Sequence, residues 1–116
     1  MTNTDTTWDA LPALVTTYLT AHQTRDVATA ISTFTADAAV TDEGRTVQGR
    51  RDIGAWLDSA GSQYTFTTTF TGADVPDPEH VHVVQRLEGN FPGGVVDLHY
   101  RFTLDGDLIS RLVIEP

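Results

Sequence analysis

The stretch Phe34–Trp56, FTADAAVTDEGRTVQGRRDIGAW, decides how this chain folds. It reads as a helix ending in Phe-Thr-Ala-Asp, then a short strand over 38–41 with an acid, Asp42, at its tip. A tight Glu43-Gly44 turn follows, and Gly49 opens another amphipathic helix. Upstream, Leu11, Leu14, Val15, Tyr18, Leu19 and His22 recur at helical spacing, with Pro12 suited to the first turn. Asp26 is placed to cap a second helix whose inner face is Val27, Ala30, Ile31 and Phe34. Beyond Gly49, the residues Ile53, Trp56, Leu57 and Ala60 form a third helical face, which Gly61 stops.

From Tyr64 onward the period changes to two. Tyr64, Phe66, Thr68 and Phe70 face one way, and the intervening threonines face the other. GADVPDP (72–78) has loop chemistry. Strands are then expected over 80–88, 95–104 and 108–115, joined by GNFPGG (89–94) and by the hairpin signal Asp105-Gly106. Helices first and antiparallel strands afterwards predict an α+β fold. Three helices would pack on one face of a strongly bent, mostly antiparallel sheet, a cone with a cavity between its layers. The 116 residues suffice for one such domain, expected at 8–116 behind a flexible polar N-terminus at 1–7.

Composition narrows the function classes. A net charge of −9 and the lack of a basic stripe argue against nucleic acid as a partner. No apolar run approaches the roughly 20 residues that cross a bilayer, and MTNTDTT (1–7) is unlike a secretory signal, so a cytoplasmic location is expected. Without cysteine, thiol nucleophiles, disulfides and cysteine-ligated metals are excluded.

YLTAHQTRDVATAISTFTADAAVTD (18–42), GRRDIGAWL (49–57) and HYRFTLDGDLISRL (99–112), in this order and with these gaps, resemble the nuclear transport factor 2-like superfamily. That superfamily has a cone-shaped, cystatin-like fold and includes ketosteroid isomerases and SnoaL-like polyketide cyclases. The resemblance covers roughly residues 10–115 and implies a cofactor-independent protein acting on a small apolar ligand. The isomerases use a tyrosine on the first helix and an aspartate base at the end of the first short strand. Tyr18 and Asp42, 24 residues apart, match those two positions. The third isomerase group, a protonated aspartate on the penultimate strand, falls at Leu98 here. Asp97 is adjacent but faces the other way. The isomerase oxyanion pair is therefore broken. Arg50-Arg51-Asp52 is similar to part of the epoxide hydrolase set, but reads most simply as a solvated first turn. The superfamily often dimerises through its outer sheet face, which here would carry His82, Val84, His99, Arg101 and Leu112.

The residues themselves leave two readings open. As an enzyme, Asp42 would be the general acid/base and Tyr18 the hydrogen-bond donor. Trp56, Phe66, Gln85, Leu98, Tyr100 and Arg111 would line the ligand site. As a binding or dimerisation domain, the chain would keep the cavity while Asp42 capped its own turn or met a neutralising partner. Two registers are also open for the last hairpin. With Asp105-Gly106 as a two-residue turn, Tyr100 sits opposite Arg111 and the cation faces the cavity. A bulge instead turns Leu108, Leu112 and Ile114 inward and Arg111 to solvent. If Glu88 pairs with Val95, Gln85 faces inward and Arg86 meets Asp97 outside. His80, His82 and His99 could hold zinc only with a further ligand, and Asp97 lies one rung too far. They are taken as outer-face polar residues, and no metal is expected. Phe91 is expected to cover the edge of its own sheet.

Overall fold

A computed structural model describes residues 6–59 and 64–116. After a 3-10 turn at Trp8–Ala10, two helices follow, α1 (Ala13–Gln23) and α2 (Val27–Ser32). Then come strands β1 (Phe34–Asp42) and β2 (Arg45–Gln48), helix α3 (Arg50–Ser59), and strands β3 (Phe66–Asp77), β4 (His80–Gly89), β5 (Val95–Asp105) and β6 (Leu108–Glu115). The six strands form one sheet in the order β2-β1-β6-β5-β4-β3, with β1 and β6 parallel and the other neighbours antiparallel. This is the α+β layout expected. Of the expected flexible tail, positions 1–5 lie outside the described residues, as do Ala60 and Gly61 at the end of the third helix. Thr6 N–H donates to the Ala73 carbonyl at 3.2 Å.

Asp26 caps α2 as its chemistry predicts. Its carboxylate accepts from the Thr29 amide at 3.2 Å and the Thr29 hydroxyl at 2.7 Å. The helix stops sooner than its apolar spacing suggested. Thr33 Oγ1 folds back onto the Ala30 carbonyl at 2.6 Å, and the Thr33 carbonyl takes the Ile109 amide of β6 at 2.7 Å. That bond draws the chain into the sheet, so Phe34 opens β1 instead of closing α2. Both turn residues after Asp42 have positive φ, 54° at Glu43 and 76° at Gly44, the twist that favours a two-residue hairpin. The hairpin creates β2, a strand the sequence reading missed. Arg50 is not merely solvated. Its Nε and one terminal nitrogen donate to the Phe34 carbonyl at 3.0 and 2.6 Å, across an irregular stretch where the β1–β6 register shifts.

Two further expectations are corrected. Residues 72–77 continue β3 instead of forming a loop, because register shifts at Phe70/Gly72 and Asp74/Asp77 absorb the special residues. β3 is an edge strand, where Pro76 need not donate to a ladder. In the last hairpin the turn is Gly106-Asp107, with Asp105 opposite Leu108 and a shift between Thr103 and Leu104. The bulged register therefore holds. Ile109, Leu112 and Ile114 are buried, while Arg111 pairs with Thr103 and is exposed. Leu112 thus leaves the outer face, and Val113 beside Arg101 takes its place.

The helices cover the inner sheet face. Tyr18 sits at the centre of the layer with no solvent exposure, its ring edge-on to Phe34 (5.4 Å) and Phe102 (5.8 Å). At that point the expected cavity is filled by aromatic rings. Shallow hollows of about 290 and 280 Å3 open instead on the outer face around Asp74 and His82.

Candidate functional site

Asp42 ends β1, where pairing with Arg45 of β2 and Ile114 of β6 fixes its backbone. Its half-buried carboxylate points toward α3 and accepts the Trp56 indole N–H at 3.1 Å. Trp56 lies one turn beyond Asp52 on α3, between the buried Ile53 and Leu57. Its ring meets His22 of α1 edge-on at 5.5 Å. One turn back along α1, the Tyr18 hydroxyl and His22 Nδ1 are 3.1 Å apart. Four side chains from three elements thus form a continuous line from the strand tip to the middle of the core.

Electrostatics fixes the protonation states along this line. Burial, helped by the nearby Arg25 cation, lowers the His22 pKa to about 4, so the imidazole is neutral at physiological pH. Burial pushes the Tyr18 phenol well above its usual value, and the neighbouring Tyr100 and Asp42 push it further. Tyr18 therefore keeps its proton and can donate it to His22 Nδ1. On the sheet side Tyr100 is also raised, chiefly by burial and secondarily by Asp42, while its hydrogen bond with Gln85 opposes the shift. Both phenols thus lie within the field of one carboxylate.

The sequence-derived candidates divide into two groups. Trp56, Gln85, Leu98 and Tyr100 join Asp42 and Tyr18 on the inner side. Gln85 is only 6% exposed and pairs with Leu98, as the Glu88–Val95 register requires. Arg111 lies on the opposite face. Phe66 also leaves the group, because its rung is Gly89 at the far end of β4, where its ring meets Phe91 at 6.5 Å. Phe70, opposite Gln85 and edge-on to Trp8 at 5.6 Å, occupies the wall position instead. His22 and Phe70 were legible in the sequence only as core positions, on the apolar faces of a helix and a strand.

On the outer face Arg86 and Asp97 pair at 3.0 Å, as expected. His80 binds Asp77 at 2.9 Å, and His82 binds Asp74 at 2.7 Å. Among the described residues no three metal-ligating side chains converge. Likewise, no helix there is long and apolar enough to cross a membrane.

No protein-family model and no curated protein matches the sequence. Solved structures do. A proposed polyketide cyclase from Sinorhizobium meliloti is 33% identical, with a TM-score of 0.84 over 90% of this chain and 95% of the other. The chain belongs to the nuclear transport factor 2-like superfamily. Two further solved structures match at lower sequence identity. A Catenulispora acidiphila protein with a ketosteroid isomerase-like fold, solved with trimethylamine, is 21% identical, with a TM-score of 0.77 over 90% of this chain and 85% of that one. A Mycobacterium tuberculosis protein in complex with estradiol-17β-hemisuccinate is 15% identical, with a TM-score of 0.72 over 89% of this chain and 90% of that one. These two share the fold.

Proposed function

We propose that this chain is a single SnoaL-like domain that acts on a small, largely apolar carbonyl compound by general acid/base chemistry, without a cofactor. The observation that carries the reading is that two buried phenols, Tyr18 and Tyr100, both lie within the electrostatic reach of Asp42 on the inner side of the sheet. A ligand carbonyl that accepts from the phenols would turn its adjacent C–H toward the carboxylate. Asp42 would remove that proton, and the phenols would hold the enolate oxygen. Tyr100 would stand in for the aspartate that Leu98 replaces. Gln85 would orient the Tyr100 hydroxyl, Trp56 would aim Asp42, and Leu98 would line the apolar wall. The relatives seen with a steroid ester and an amine support a small organic ligand.

Proton abstraction next to a carbonyl can be read without the natural substrate. In deuterium oxide, NMR would follow exchange of the protons flanking the carbonyl in a panel of cyclic and steroid ketones. Asp42→Asn should slow exchange by about 10²–10⁴-fold while leaving ketone affinity within about twofold. Equal exchange in the variant refutes the base assignment. A second reading, a ligand-binding domain without catalysis, draws on a different observation: Tyr18 and Asp42 already have protein partners, His22 and Trp56. It predicts ketone binding with no exchange in either protein.

The same reading makes the protein a cytoplasmic homodimer that pairs through the outer sheet face. Charge supports that choice of face. The pairs Arg86–Asp97 and Arg101–Glu115 balance locally on a chain that carries −9 overall, so two copies can approach there with least repulsion. A monomer at tens of micromolar in sedimentation would overturn it.

A further inference from the structure

The outer face carries a line of titratable groups that the proposed reaction does not use. His82 Nδ1 lies 2.7 Å from Asp74 Oδ1, and His82 Nε2 lies 2.7 Å from His99 Nδ1. The two imidazole planes differ by 13° and their centroids are 5.0 Å apart. That separation is the N···N distance plus the two ring radii, so the rings lie end to end rather than face to face. The line crosses β3, β4 and β5, and all three side chains are half-buried.

Hydrogen-bond chemistry limits how many protons this line can hold. An ionised carboxylate only accepts, so His82 must donate from Nδ1. One proton then serves the link between His82 Nε2 and His99 Nδ1. With both rings neutral the line carries −1. A further proton at His99 Nε2 leaves both bonds intact and makes the line neutral. A third state, with both rings charged, puts protons on both facing nitrogens, and the His82–His99 link must break. The line therefore has charges of −1, 0 and +1, and only the last disrupts it.

Neighbouring groups do not remove this limit. From β4, His80 is bound to Asp77 of β3, and Arg86 is bound to Asp97 of β5. Arg101 of β5, on the His82 rung, is bound to Glu115 of β6, which lies opposite His99. Each of these charges already has a partner, so a second imidazolium finds no free carboxylate among them.

We propose that the Asp74–His82–His99 line is a proton-operated release for self-association through the outer sheet face. The inference rests on the dimer reading above and adds its regulation. A desolvated interface accepts the intact neutral line most readily, whereas two copies of the broken +1 line repel and cost desolvation. The dimer should therefore hold while the line is intact and open once acid puts protons on both facing nitrogens.

Sedimentation velocity at constant ionic strength, at pH 6.5 and pH 5.0, tests this with the wild-type chain and His99→Gln. Glutamine can still hydrogen-bond His82 but cannot take up a proton. Wild type should dissociate at least 10-fold more readily at pH 5.0, and His99→Gln should change less than about twofold. A wild-type dimer with the same affinity at both pH values overturns the release alone and leaves the dimer standing. So does an equal loss in both proteins. A monomer under every condition overturns the dimer reading together with this one.

Discussion

Replacing His22 with glutamine should flatten the acid side of this protein's stability profile. In the fold the imidazole has a pKa of about 4, against 6.5 for the free side chain, because burial and then Arg25 disfavour its charge. Between those values the unfolded chain binds a proton that the folded chain refuses. Stability therefore rises with pH through this window. The contribution is fully present above about pH 6.5, shrinks as pH falls, and is lost near pH 4. From pH 7.5 to pH 5.0 the loss comes to about 2 kcal/mol at 1.36 kcal/mol per unit. Carboxylate protonation acts the other way by relieving the repulsion of a −9 chain, so wild type alone would mix the two effects. His22→Gln shares the second effect and lacks the first, and its amide oxygen can still accept the Tyr18 hydroxyl. Urea unfolding of both proteins at both pH values reads the difference directly. Wild type should lose about 2 kcal/mol more than the variant. Equal losses, or an NMR titration in which His22 charges near pH 6.5, would refute the reasoning.

Two other substitutions test the frame around the site. Arg50→Ala removes both donors from the Phe34 carbonyl and should cost about 2 kcal/mol, read as a fall in thermal midpoint of roughly 4 °C per kcal/mol. Arg50→Lys should recover less than half, since an ammonium cannot present the same fork; full recovery would reduce the contact to simple charge. Arg111→Ala should change stability by less than about 0.5 kcal/mol and leave ketone exchange untouched, because its side chain lies on the outer face. A large loss of exchange would restore the competing register.

The sequence was most legible where one local rule acted alone. The Asp26 cap, the Glu43-Gly44 turn, the alternation along β3 and the Gln85–Leu98 register all follow from short-range chemistry. It misled where a long-range bond overrode a local pattern. Phe34 fits the inner face of α2, yet the Thr33–Ile109 bond pulls it into β1. GADVPDP reads as a loop until bulges on an edge strand accommodate it, and that misreading hid Asp74 as the partner of His82. Tyr18 and Asp42 stood out as polar groups at conspicuous positions, whereas His22 fitted the helical period and looked like core.

The bulge at Thr103–Leu104 has the largest consequence for the chemistry. Had the strict two-residue turn held, Arg111 would face the inner side of the sheet, the side on which the Tyr18 and Tyr100 rings lie. With the bulge, Asp42 accepts from the neutral Trp56 N–H, which orients the group without consuming its charge. Burial raises both nearby phenols and Asp42 adds to it, keeping them protonated as donors. One extra residue in β6 thus sends Arg111 to the outer face and away from Asp42. The remaining obstacle is that the Tyr18 proton can already go to His22. A ligand oxygen that takes His22's place exchanges one acceptor for another, so the hydrogen bond itself costs little. The main cost is moving a half-buried neutral ring off the Tyr18 hydroxyl and away from its edge contact with Trp56. Holding His22 neutral leaves its Nδ1 able to accept the Tyr18 proton until a ligand oxygen replaces it.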